Sequence, residues 1–439
     1  MSPEAALSAS LFLGIDIGTS GVRASIINSQ GDELFNHRIE LASPEINNSR
    51  IQQNPAIWKQ SILNLIKELT DKVNIISSYK YIAALAIDGT SGTVLVCDEA
   101  GTPLAQALMY NDQSCSKEAA QIANIAPPDC GAHGASASLA KALHLLKQHP
   151  EAHYICHQAD WVASTLTGQY GISDENNCLK LGYNSLEKSW PNWLNKLDIN
   201  QAILPRVVKP GSAIASIQPG VANELGLPKD CQIVAGTTDS IAAFIATGAN
   251  QVGDAVTSLG STLVLKIISD RPVFAPEYGI YSHRLGKHWL AGGASNSGGR
   301  VLKQYFNQPQ LDAMTTSLNP EISAGLNYYP LPTIGERFPR NNPHLEPKMA
   351  PRPDDDIVFF QAILEGIANI EAEGYQRLAE LGAPAPRQVL TAGGGSRNPA
   401  WQKIREQTLN TPVRIADHTE ASYGSALLAR QGYINKENR

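Results

Sequence analysis

The chain has no strong excess of charge of either sign. Lys and Arg total 35 against 41 Asp and Glu, a net charge of -6 over 439 residues. No long like-charge run occurs. Polyanion binding needs a clustered basic excess, so nucleic acid and membrane surfaces are excluded as expected partners. No run of about 18 apolar residues exists, so no membrane-spanning helix is expected. The first residues, MSPEAALSAS, lack the basic start and long apolar stretch of a secretory signal. The six cysteines (Cys97, Cys115, Cys130, Cys156, Cys178 and Cys231) include no Cys-x-x-Cys pair. That argues against a structural zinc or a disulfide framework and for a reduced, cytoplasmic protein. A Gly-x-x-x-x-Gly-Lys-Ser/Thr loop is missing, which excludes a P-loop enzyme. So are a Gly-x-Ser-x-Gly elbow and a His-Glu-x-x-His zinc helix, and the ten histidines show no ligand spacing.

What is present is a recurring α/β pattern. At roughly 150 residues per domain, the length predicts two or three domains. An apolar strand over Leu11–Ile15, a polar turn at Gly18–Gly21 and a strand over Val22–Ile27 read as a hairpin. The same strand–turn–strand shape returns around Asp88–Gly92 and again at Gly260–Thr262. Helical periodicity follows at Trp58, Ile62, Leu65, Ile66 and Leu69, with Pro55 near the start. Further helices are expected over Leu139–Lys147, Ala159–Leu166, Ser240–Ala246, Gln361–Leu381 and Glu420–Arg430. Asn398 and Pro399 form an N-cap and first-turn pair for a helix through Leu409. The Pro- and Asn-rich stretch Phe306–Pro353 reads as extended loop and turn. The best domain junction lies near Gly236–Asp239, dividing 1–238 from 239–439.

Chemistry concentrates in the polar turns. In Asp16–Gly21 (DIGTSG) small residues let backbone N–H groups approach a phosphate, and the Thr19 and Ser20 hydroxyls add donors. Asp16, ending a buried strand, suits a hydrated Mg2+ ion. The same letters also suit an ordinary hairpin turn. Thr257–Thr262 (TSLGST) has the same logic, and with the first turn suggests a clamp on a triphosphate from two domains. Val389–Trp401 (VLTAGGGSRNPAW) reads as strand, three glycines and a capped helix. Its spacing does not fit a dinucleotide fingerprint, and bare backbone there suits an adenine or ribose, or simply tight packing. Gly292–Arg300 (GGASNSGGR) enters a helix through small residues, at the border of an adenosine site or in a close helix contact. Asp239 in AGTTDS stands between a strand and a helix, placed either to take the proton of an attacking hydroxyl or to cap the helix. For this pair, Ser240 can cap while Asp239 reacts. Asp88, Thr90 and Ser91, at a strand end, suit binding of sugar hydroxyls or a solvated turn.

The ordered set DIGTS, GTTDS, TSLGST and TAGGGSRNPAW resembles the FGGY carbohydrate kinases, from about Leu11 to Arg430. The stretches Gln158–Gly168 and Leu204–Asp230 share the likeness. The resemblance implies two actin/hexokinase-like (ribonuclease H-like) domains with a cleft between them. The sugar and phosphate side would lie in 1–238 and the nucleotide side in 239–439. It implies ATP and Mg2+ as cofactors and a small sugar as acceptor. Asp239 matches the family's general base, and Asp16, Thr19 and Ser20 match its first-hairpin metal and phosphate residues. Gly260, Ser261 and Thr262 match its second phosphate turn. Gly394 and Gly395, with Asn398 nearby, match its adenosine side, and Ser91 is an inferred sugar contact. Within the family, IDGTSGTVLVCD, GTTDSIAAF, TSLGSTLVLK and YYPLPTIGERFP look like the D-ribulose kinases, which implies phosphorylation of D-ribulose to D-ribulose 5-phosphate. Xylulose, erythrulose and glycerol remain alternative acceptors, and a non-catalytic nucleotide switch the alternative of another class. One departure is visible. Many members carry Trp-x-Asp-x-Arg after the second hairpin, whereas here Tyr110 and Ser114 flank Asp112. That suggests a smaller or looser sugar pocket.

Overall fold

The structure, a computed structural model, describes Leu7 and residues 9–76 and 80–437. The N-terminal stretch in which no signal was expected lies mostly outside the described residues. The chain forms two compact α/β units: Met1–Ala246 with Glu420–Arg439, and Thr247–Thr419.

The first unit is built on a six-stranded sheet of β1 (Ser10–Ile17), β2 (Gly21–Ile27), β3 (Glu33–Glu40), β4 (Tyr81–Gly89), β5 (Ala213–Ser216) and β6 (Gln232–Val234), in the order β5-β6-β4-β1-β2-β3. β1 runs antiparallel to β2 and parallel to β4, and β4 runs parallel to β6. Every residue of β1 is buried, as a central strand covered on both faces requires. β3, at the edge, alternates half-buried and exposed positions. One face is covered by α1 (Pro55–Ile76), whose Trp58 is fully buried and satisfies its indole N–H on Gln53 Oε1 at 2.7 Å. The C-terminal helix Ala421–Glu437 lies on the sheet so closely that a Cβ on Gly14 would sit 1.9 Å from Ser422 O. Only glycine fits that crossing.

The expected junction at 238/239 moves to 246/247. The helix opened by Asp239 packs on the C-terminal helix, and both stay in the first unit. The second expected hairpin is also revised. The turn after β4 exists, but Val94–Cys97 leaves the sheet. It pairs with Ala107–Leu108 and Tyr154–His157 in a separate five-stranded sheet. The turn is pinned from outside: Gln158 Oε1 accepts from both Thr90 N and Thr90 Oγ1. Gln158 opens α2 (Gln158–Thr167), which precedes the short α3 (Glu175–Leu179) and α4 (Asp239–Ala246).

The second unit repeats the wiring. Its strands are β7 (Asp254–Leu259), β8 (Leu263–Ser269), β9 (His283–Leu285), β10 (His288–Ser295), β11 (Gln388–Ala392) and β12 (Val413–Ile415), in the order β9-β10-β8-β7-β11-β12. β7 forms a true hairpin with β8 through Gly260–Thr262 and runs parallel to β11. In both units, then, three antiparallel strands (β3-β2-β1 and β10-β8-β7) are followed across the sheet by two parallel ones, with one further antiparallel strand at an edge (β5 and β9). Helices α5 (Gly299–Tyr305), α6 (Gln308–Thr315), α7 (Asp356–Glu380) and α8 (Pro399–Leu409) cover this sheet. α8 has the bounds read from the sequence. α6 was read as loop. Its Pro309 lies in the first turn, where proline is tolerated, and Asn307 with Gln310 forms a capping box. Among the described residues no helix is long and apolar enough to cross a membrane.

Candidate active site

In the first unit three carboxylates gather where neighbouring parallel strands end. Asp16 ends β1, Asp88 ends β4, and Asp239 follows β6. Asp16 and Asp88 are register partners, so their side chains leave the same face of the sheet. Gly89 is bridged to Thr238, which brings Asp239 to the same edge. Asp16 accepts from Arg23 Nη1 at 3.2 Å, and Asp88 from Ser425 Oγ at 2.6 Å. Burial pushes the Asp88 carboxyl well above the ordinary carboxylate range, and the charges of Asp16 and Asp239 push it the same way. Asp16 is also raised by burial, against the pull of Asp88 and Arg23. Burial and the neighbouring carboxylates thus bias Asp88 toward its neutral form more strongly than Asp16.

The turns frame this cluster. Gly18 N donates to Gly21 O at 2.9 Å, leaving Thr19 half-buried and Ser20 exposed. After β4, Thr90 faces inward on Gln158 and Thr93, while Ser91 is half-buried. Asp88 and Thr90, expected to meet sugar hydroxyls, are internal, and Ser91 is the more accessible of the three. Asp239 is the first residue of α4 and half-buried, with Oδ1 accepting from Ser240 N at 2.7 Å. The capping position belongs to Thr238, whose carbonyl takes Ala242 N at 2.9 Å, and not to Ser240. The approach to Asp239 is anchored from α3. Its N-cap Asp174 accepts from Thr237 Oγ1 at 3.2 Å, and Asn176 Nδ2 donates to the same hydroxyl at 3.0 Å. Asp112 is fully buried, with Ile51 N at 2.6 Å and Ser114 Oγ at 2.8 Å, so it holds a turn. The oxygen donors Asp16 and Asp239 stand beside a Thr238 hydroxyl that is buried without a hydrogen-bond partner. The set suits a hard divalent cation.

In the second unit the loops after β7 and β11 open one cavity of about 620 Å³. Gly260, Ser261, Gly394, Gly395 and Asn398 line it, as does Gly299 from the glycine-rich entry to α5. Thr262 does not line it; its carbonyl closes the turn by accepting from Gly260 N at 3.2 Å. The Gly260 and Ser261 carbonyls are taken by Gly299 N and Arg300 N, so the turn is fixed on α5. A Cβ on Gly395 would lie 2.6 Å from the Trp401 ring, whereas one on Gly394 would meet nothing within 4 Å. Gly395 is thus a packing glycine and Gly394 an open stretch of backbone. Asn398 caps α8 by accepting from Trp401 N at 2.9 Å. The apolar wall, missed in the sequence, is Leu302, Leu311, Phe360 and Leu364. Its volume and mixed lining are those of a small-ligand site. Beneath it, Arg405 grips Glu371 through two bonds of 2.6 and 2.7 Å and Thr391 through a third of 2.7 Å. Both charged residues are buried, a fork that fixes β11, α7 and α8 together.

These features have counterparts among known proteins. Residues 11–246 match the N-terminal domain of the FGGY family of carbohydrate kinases, and residues 255–431 its C-terminal domain. A xylulose kinase of Staphylococcus epidermidis is 23% identical over 437 residues, covering 96% of this chain and 87% of its own. The crystal structure of a protein named a xyloylose kinase, from Brucella ovis, superposes with a TM-score of 0.87 at 22% identity, covering 97% of this chain and 91% of its own. A Plasmodium falciparum glycerol kinase solved with ADP gives 0.84 at 17% identity, covering 96% and 89%. The chain belongs to the FGGY family of carbohydrate kinases, ATP-using sugar kinases built from two actin/hexokinase-like α/β domains.

Proposed function

We propose that this chain transfers the γ-phosphoryl group of ATP to the terminal hydroxyl of a ketopentose, D-ribulose, giving D-ribulose 5-phosphate. The observation that carries the reading is the gathering of Asp16, Asp88 and Asp239 at adjacent strand ends beside the Ser91 turn. Asp239 takes the proton of the attacking hydroxyl, and its place at the start of α4, with Thr237 tied to Asp174, fixes its direction. Asp16, Thr19 and Ser20 face the transferring phosphates. Gly260, Ser261, Gly394, Gly395 and Asn398 receive the nucleotide, with Thr262 closing its turn. When bound, Mg2+ would offset charge on the phosphates, held by Asp16 with Asp239 close by. We place the reaction in the cytoplasm, where ATP is made and where six free thiols persist.

D-Ribulose rests on the motif words around Asp88, Asp239 and Thr257. The second reading is D-xylulose, favoured by the names of the relatives that match nearly the whole chain. Turnover of D-ribulose, D-xylulose, erythrulose and glycerol, with ATP and Mg2+, separates them. The highest kcat/KM is expected for D-ribulose, and a higher value for D-xylulose would reassign the acceptor. Slow ADP release indifferent to every sugar would favour a nucleotide switch.

A further inference from the structure

Lys180 stands at the site with no part in the reading above. It directly follows α3, a helix tied at its start to Thr237 through Asp174 and Asn176. At its other end Lys180 Nζ donates to Ser91 O at 3.3 Å. The short helix therefore spans from the approach to Asp239 to the turn expected to meet the sugar. Lys180 Cδ lies 3.5 Å from the point where a Gly92 side chain would begin, so the lysine stem fills the space that glycine leaves. Burial disfavours the Lys180 charge, and the Asp239 carboxylate opposes that effect. The other ammonium nearby, on Lys141, is turned away onto Met109 O at 2.8 Å. An ammonium has three N–H donors, and Ser91 O occupies one of them.

We propose that Lys180 is a specificity-determining residue of the sugar site. Its ammonium donates to an oxygen of the acceptor lying between Ser91 and Asp239, and so turns the terminal hydroxyl toward Asp239. The Asp16 and Asp239 carboxylates share one sheet edge and would repel a further anion, so the acceptor selected is a neutral polyhydroxy sugar and not a sugar acid. This inference rests on the sugar-kinase reading.

The test uses the full-length protein and its best sugar from the panel above. Lys180→Met is expected to raise the sugar KM about 10- to 100-fold, the range for a lost charged hydrogen bond. The ADP Kd by calorimetry stays within about twofold, and Lys180→Arg restores part of the sugar KM. An unchanged sugar KM in Lys180→Met overturns the proposal. A loss of sugar KM, ADP Kd and thermal midpoint together also overturns it, since that marks a structural role. D-Gluconate turned over faster than any neutral sugar by the wild type overturns the selectivity. A wild type that turns over no sugar at all rejects the kinase reading itself, and this inference with it.

Discussion

Among single residues, Asp88 shows how far a sequence can be read. Its place at a strand end and its nearness to a Gly/Ser/Thr turn were legible. Its role was not, because that depends on which strand lies beside β4. The register with β1 sets Asp88 against Asp16, and Ser425 reaches it from the far end of the chain. Burial and the Asp16 charge push the Asp88 carboxyl well above the ordinary carboxylate range. Asp88→Asn puts a neutral hydrogen-bonding group where burial already disfavours the carboxylate, and is expected to leave kcat within about tenfold of wild type. Asp16→Asn removes a charge proposed to face the phosphates and metal, and is expected to cost about 100-fold or more. Steady-state kinetics of the two variants check the contrast; equal losses would contradict it.

At the level of elements, the glycine turns were found by composition, and the structure separates them by what each glycine packs against. Gly394 and Gly395 are adjacent in the sequence, yet one faces open space and the other Trp401. A side chain at Gly394 would project into the cavity proposed to receive the nucleotide. Gly394→Leu is expected to raise the ATP KM about tenfold or more while the sugar KM and thermal midpoint stay near wild type. An unchanged ATP KM would remove this cavity from nucleotide binding. Two elements escaped the sequence for physical reasons. The partner of Val94–Cys97 is a distant strand, and nothing in a local strand–turn–strand pattern says whether the second strand returns to its neighbour or crosses to another sheet. α6 was hidden because Pro309 reads as a breaker, although in a first turn it is tolerated. Long apolar periodicities, as in α1 and α7, were read correctly in kind because packing and propensity agree there.

For the molecule as a whole, the ordered motifs gave the family and the two-domain plan, but not the return of the C-terminal helix to the first unit. That return depends on Gly14 allowing close approach, a contact between chain ends. Stability has its own signature. Lys141 is fully buried, and burial, aided by the Lys180 charge, brings its pKa down to about 7. The unfolded chain keeps this proton until about pH 10.4. Between those values the unfolded state binds more protons, so stability rises with pH by up to about 1.4 kcal/mol per unit. Below pH 7 the contribution is at its least favourable. Melting of wild type and Lys141→Met at pH 7, 8 and 9 is expected to show the difference shifting toward the wild type as pH rises. Parallel curves would contradict this.

The whole account turns on Asp239 as the acceptor of the hydroxyl proton. The most direct measurement is the sugar-dependent kcat of Asp239→Asn, with folding verified by its melting curve. A fall of about 10²–10⁴ is predicted; turnover close to wild type would contradict the account.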